Sequence, residues 1–188
     1  MRINSIRIVS KTYRSAPAGL AIRPYRAPDL DAVIALFQAA VRESAARDYT
    51  PAEITAWAEV DRARWAVRRL DRPTWLALLD GMPAGFADLK PGGHLDMMYV
   101  HPAQQGRGVA TALLACVEAA ARDQGLAGIV TEASLTARPF FERRGFQVLG
   151  MQRVPLRGQV LVNVRMEKRL DPDSAGSSRI QPEEGFGL

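Results

Sequence analysis

The sequence predicts a single domain of mixed α/β class, and three observations carry that prediction. The 188 residues suit one domain of ~100–200 residues with a core of its own. Apolar spacing switches along the chain between a helical period and a period of two. The resulting order is β-α-α-α-β-β-β-α-β-α-β-β, which is not a βαβ repeat. The composition is that of a globular chain, 47% hydrophobic and 24% charged, with no run near the ~18 apolar residues of a membrane span. A single cysteine, Cys116, excludes an internal disulfide and a multi-cysteine zinc site, and no metal is expected.

Each element has a local reason. Residues 20–25 read as an opening strand. Pro28 or Asp29 starts a helix to about Arg47, with Leu30, Val33, Ile34, Phe37 and Val41 at helical spacing. Thr50, Pro51 and Glu53 give a short second helix its N-cap, first-turn proline and capping-box glutamate, and it runs through Trp57. A third helix covers 61–70. Residues 75–79 and 84–89 form a hairpin about Asp80-Gly81, with Pro83 arguing for a turn longer than two residues. Residues 95–100 make a strand. A long helix from Gly108 to Gln124 ends at Gly125, a C′ glycine. Then come a strand at 128–133, a short helix at 137–144 stopped by Gly145, and a hairpin of 146–155 with 160–168 around Arg157-Gly158.

The net charge of +5 invites a nucleic-acid reading, and its distribution weakens it. Residues 1–18 hold Arg2, Arg7, Lys11 and Arg14 without an acid, and residues 171–188 sum to −3. The N-terminal extension is expected to be mobile and the polar C-terminal tail disordered, with the domain at 19–170. No apolar h-region marks a secretory signal, so a cytoplasmic location is expected, with neither nucleic acid nor membrane as partner. All but 3 of the 25 basic residues are arginine, a composition typical of a GC-rich bacterial genome.

The most informative stretch is Val100-His-Pro-Ala-Gln-Gln-Gly-Arg-Gly-Val-Ala110. A strand ends, a proline turn follows, and two glycines stand at the mouth of a long amphipathic helix. Free N–H groups and the positive end of the helix dipole bind phosphate there. Gly106 and Gly108 let the backbone approach it, and Arg107 adds a donor fork. No Gly-Lys-Ser/Thr follows, so this is not a nucleotide P-loop, and the G-x-G-x-x-G spacing is absent.

The segment Gln105-Gly-Arg-Gly-Val-Ala110 resembles the Q/R-x-x-G-x-G/A signature of the GCN5-related N-acetyltransferases (GNAT). Residues 132–146, with Phe140-Phe141-Glu142 and Gly145-Phe146, resemble the family's "A…F-Y-E-x-x-G-F" segment. The wording at 46–57 resembles the YafP-like branch. The resemblance covers about 20–170 and implies the acyl-CoA N-acyltransferase fold, a twisted mixed sheet split between strands four and five with helices on both faces. It also implies transfer of acetyl from acetyl-CoA to a primary amine of a small molecule or peptide, by direct attack in a ternary complex. A protein N-terminus or lysine is the alternative acceptor, and a non-catalytic acyl-CoA sensor the alternative class.

The resemblance assigns the coenzyme to Gln105, Gly106, Arg107, Gly108, Val109, Ala110 and Thr111 at the pyrophosphate, and to Met98 and Val100 along strand four, by strand addition. Phe141 stands where many members carry the tyrosine that protonates the leaving thiolate. It cannot donate, so Tyr99, Ser134 or a water takes that part; without an acid, a thiol of pKa about 8.5 leaves at a loss of roughly 2 kcal/mol near neutral pH. Glu132 and Asp96 are the candidate bases. Strand alternation puts His94, Asp96, Met98 and Val100 on one face, so His94 and Asp96 are expected to serve one site. Tyr49, Trp57, His94 and Arg138 are the expected acceptor contacts. His101 is expected to shape the turn and Cys116 to pack as a small hydrophobe. A monomer or homodimer is expected.

Overall fold

A computed structural model describes residues 17–170; the expected mobile extension and disordered tail lie, apart from Pro17 and Ala18, outside the described residues. The element order is the one the spacing predicts: β1 (Leu20–Pro24), α1 (Leu30–Ala39), α2 (Pro51–Ala58), α3 (Arg62–Leu70), β2 (Thr74–Leu79), β3 (Met82–Lys90), β4 (His94–Val100), α4 (Val109–Asp123), β5 (Gly128–Ser134), α5 (Arg138–Glu142), β6 (Gln147–Leu156) and β7 (Gln159–Arg169). One seven-stranded sheet has the order β1-β2-β3-β4-β5-β7-β6, antiparallel except where β4 meets β5.

Two apolar clusters sandwich the sheet. On one face Val109, Leu113, Leu114 and Val117 of α4 pack on Ala87, Leu89, Leu95, Ile129, Ala133 and Val164. On the other, Val33 and Phe37 from α1, Val41 just beyond it and Trp65 from α3 cover Leu76 and Phe86. The apolar face of α1 is the one its spacing gives. The helix does not run to Arg47 at one pitch, however: it loosens to a π turn at Ala40–Ser44 and tightens to a 3₁₀ turn at Ala45–Arg47. π turns recur at functional sites. Thr50 and Glu53 close the expected capping box on α2.

The β2–β3 turn is two residues, Asp80 and Gly81, both at positive φ (52° and 81°), as in a type I′ hairpin. The expectation of a longer turn fails because the irregularity forced by Pro83 is absorbed further along, in a bulge opposite Ala77 and Leu78.

A second bulge decides which side chains share a site. Met97 is opposite Asp88 and Leu95 opposite Leu89, so Asp96 is the extra residue on β4. The amide of Met97, displaced from the ladder, donates to Asp88 Oδ1 at 3.0 Å. Simple alternation is broken: Leu95 joins Met98 and Val100 on the α4 face, while Met97 and Tyr99 turn to the α1 face. The placement of His94, Asp96, Met98 and Val100 on one face is therefore corrected.

Candidate active site

β4 and β5 are joined by only two residue pairs, His94 with Val130 and Leu95 with Thr131. Beyond them the strands diverge, and the Thr131 hydroxyl donates to Leu95 O (2.9 Å) at the crotch. The β5 side of β4 from Met97 to Val100 is left without a strand partner, an edge that an extended ligand can pair with. His101 and a 3₁₀ turn at Pro102–Gln104 follow, and His101 Nδ1 accepts from the Ala103 amide (3.2 Å), so it shapes the turn. Gly106 and Gly108 both take left-handed φ (74° and 80°), and α4 opens at Val109. A Cβ on Gly106 would meet nothing within 4 Å, whereas one on Gly108 would lie 2.7 Å from Pro17 Cγ. Gly106 thus leaves open space beside the turn, and Gly108 is required by its neighbour as well as by its φ.

Side chains brace this turn from three directions. Gln105 Nε2 donates to Ser44 Oγ in the π turn (2.7 Å). Arg107 is held by Gln104 Oε1 (2.7 Å) and Asp80 (3.3 Å). Arg144, just past α5, donates to Thr111 Oγ1 (2.6 Å). Ser44 and Arg144 were missed in the sequence, since nothing local to either residue signals a partner dozens of positions away.

The carboxylates separate into two environments. Glu132 on β5 is about one-third exposed and meets His94 Nε2 at 2.5 Å across the crotch, not Arg138. Asp96 instead lies between Lys90 (2.6 Å) and Arg72 (2.9 Å). Burial would raise its pKa, but the hydrogen bond from Lys90 and the charges of Lys90, His94 and Arg72 prevail and hold it below the ordinary aspartate value. Arg72 also nears Asp88 (3.8 Å), which pairs with Arg69 at 2.6 Å with both side chains fully buried. Arg69 lies over the Trp65 and Phe86 rings. Asp96 thus belongs to an ion cluster under α3 and lies near enough to His94 to feel its charge.

Other expected residues land as follows. Tyr99 stacks on Phe86 and meets Phe37 edge-on. Burial drives its phenol well above the ordinary tyrosine range, with a hydrogen bond from Trp57 pulling partly back, so the hydroxyl keeps its proton. The Tyr49 hydroxyl donates to Val162 O (2.6 Å) and accepts from the Leu135 amide (3.0 Å), so it ties the turn after α1 to β5 and β7. Trp57 packs edge-on to Tyr49. Arg138 pairs with Glu142 on its own helix (2.7 Å). Phe141 is 3% exposed and packs against Phe140 and Phe146 in the α4-side core. Its ring is part of the core cluster beneath α4. Burial pushes the Cys116 thiol up, as for an inert packed cysteine. Among the described residues no group of three or more His, Cys, Asp or Glu is placed to hold a metal. No described helix is long and apolar enough to cross a membrane. A groove of about 770 Å³, lined by Gln38, Arg42, Tyr49, Ile54 and Val60, lies along α1, the π turn and α2 rather than in the strand cleft.

The family model of the Acetyltransferase (GNAT) domain matches residues 45–170. The chain is 37% identical over 145 residues to the Uncharacterized N-acetyltransferase YafP of Escherichia coli (strain K12), covering 77% of this chain and 93% of that protein. The chain belongs to the GNAT acetyltransferase family. It is, accordingly, an N-acetyltransferase dependent on acetyl-CoA.

The GNAT fold is equally plain. The crystal structure of a GCN5-related N-acetyltransferase (Aminotransferase, Class-II) from Rhodopseudomonas palustris is similar, with a TM-score of 0.79 and 37% identity over 85% of this chain and 99% of that one. The structure of yncA of Salmonella typhimurium, solved with its cofactor acetyl-CoA, has a TM-score of 0.60 at 24% identity, covering 85% of this chain and 99% of that one, a likeness of fold. The residues present suit a GNAT coenzyme. Unpaired β4 backbone can meet an extended amide-bearing arm, and the open space at Gly106 lies beside free N–H groups at the start of α4.

Proposed function

We propose that the enzyme acetylates a primary amine of a small molecule or peptide by direct attack in a ternary complex, with Glu132 as the general base. The coenzyme supplies the acetyl thioester. The amides of Gln105 to Ala110 hold its pyrophosphate, and the free edge of β4 at Met98 and Val100 orients its pantetheine. Glu132, one step past the last β4–β5 pair, takes the ammonium proton directly or through a water. His94 holds the Glu132 carboxylate in place. Tyr99, with its proton retained, is the donor nearest in sequence to the edge, in place of the missing tyrosine at Phe141. The observation that carries this reading is the His94–Glu132 contact at the point where the sheet opens.

Coenzyme release over a panel of small primary amines, run beside acetyl-CoA binding, tests it. Glu132→Gln should bind acetyl-CoA normally and lose ~10²–10⁴-fold in kcat, with the rise of rate with pH altered. Turnover of protein N-termini or lysines alone would move the acceptor to the alternative class. An unchanged kcat would remove Glu132 from the reaction.

A further inference from the structure

Resting on the acceptor reading above, we propose that Arg165 forms an anion subsite beside Glu132, so that the preferred acceptor is a primary amine that also carries a carboxylate. Glu132 on β5 and Arg165 on β7 are directly opposite in an unbroken antiparallel register. Opposite residues share a face, with Cβ atoms ~4.5–5.5 Å apart. Both are exposed, while the pairs on either side, Thr131 with Met166 and Ala133 with Val164, are buried on the opposite face.

Arg165 is nonetheless not spent on Glu132, whose ion-pair partner is His94. No carboxylate of the described residues pairs with Arg165. Cations elsewhere in the fold are paired with carboxylates: Arg69 with Asp88, Arg72 and Lys90 with Asp96, Arg157 with Glu59 and Lys168 with Glu118. Glu167, the one acid on the same strand face, carries its Oε1 towards Gly128, where an added Cβ would be 3.6 Å from it. That is away from Arg165.

The other flank is open. On β6 the partner of Arg165 is Gly150, beside a bulge, and a Cβ added there meets nothing within 4 Å. The guanidinium therefore has room for a ligand at its side. The next residue on this face is Asn163, whose Oδ1 accepts from Gln152 Nε2 (3.3 Å) and whose own amide N–H groups have no partner among the described residues. A planar guanidinium fork with a second donor beside it matches a carboxylate. The base sits one strand away, so amine and carboxylate are received together only if a few bonds separate them.

The test uses matched pairs: glycine, β-alanine and 4-aminobutyrate, each against its carboxamide, with the full-length enzyme and saturating acetyl-CoA. At least one acid should be preferred over its amide by ~10-fold or more in kcat/KM. In Arg165→Gln that ratio should fall to about 1, through KM for the acid, and Arg165→Lys should restore part of it. An unmodified enzyme without preference for the acids, or a preference that survives in Arg165→Gln, overturns the subsite alone. Acetyl-CoA binding with no turnover of any acid or amide overturns the small-amine reading and the subsite with it.

Discussion

The sheet has two halves that treat charge in opposite ways. From β1 to β4 both faces are roofed, by α4 on one side and by α1 and α3 on the other, and the ions beneath α3 are consumed in pairs: Arg69 with Asp88, Arg72 and Lys90 with Asp96. From β5 to β6 the face carrying Glu132, Ser134, Asn163 and Arg165 is partly exposed along its length. Charge in the first half holds a bulge and a helix in place. Charge in the second half stays nearer to solvent, with Glu132 about one-third exposed even in its pair with His94. Two carboxylates on adjacent strands, Asp96 and Glu132, therefore sit in different surroundings, and proximity in sequence to the signature turn does not tell them apart.

The largest effect should come from breaking the first half. Arg69→Leu removes the close partner of buried Asp88, leaving it Arg72 at 3.8 Å, and should lower unfolding free energy by about 3–5 kcal/mol in urea titration. A loss under ~1 kcal/mol would dissolve the contrast. Next, Glu132→Gln should change stability by no more than ~0.5 kcal/mol while the rate falls ~10²-fold or more. Asp96→Asn should do the reverse, shifting the urea midpoint more than kcat. At the turn between the halves, Gly106→Val forces a β-branched residue to a φ of 74°. It should cost ~1–2 kcal/mol in stability and weaken acetyl-CoA binding ~10-fold or more by calorimetry, since its side chain enters open space beside the amides proposed to hold the pyrophosphate.

The smallest effect sits at the start of α1, which helps to roof the first half. The hydrogen bond from Arg23 holds Asp29 below the ordinary aspartate value, aided by the Arg26 amide and opposed by burial. A lowered folded pKa means that this contribution is present above about pH 4, the unfolded value, and is lost as pH falls through the lower folded one. Urea midpoints taken downward from neutral pH should fall more steeply for the unmodified protein than for Asp29→Asn. Parallel curves would show that the pair contributes nothing.

Features written in local spacing were legible in the sequence. The capping box of Thr50 and Glu53, the two positive-φ glycines before α4 and the apolar stripe of α1 depend on neighbours within one or two turns. The order of elements followed from the same local periods. What escaped is non-local. Nothing around Asp96 announces an extra residue in β4, because the acceptor that tolerates it is the Asp88 side chain on β3. Arg69 reads as one more cation in the last turn of a helix, yet it is 1% exposed, because Trp65 and Phe86 close over it. Nothing local to Arg165 signals that the register places it opposite Glu132.

The crotch at Thr131 has a mechanical consequence. Backbone pairing across the middle of the sheet amounts to two residue pairs, with one hydroxyl stitched to Leu95 O at their end. Every other strand boundary is a long ladder. The seam thus has the fewest rungs of any strand boundary, and α4, packed on Ala87, Leu89 and Leu95 of one half and on Ile129, Ala133 and Val164 of the other, spans it like a splint. The Thr131 hydroxyl adds one more tie at the open end of the ladder. Valine, of nearly the same shape but without the hydroxyl, would free that last carbonyl and let the opening deepen towards His94.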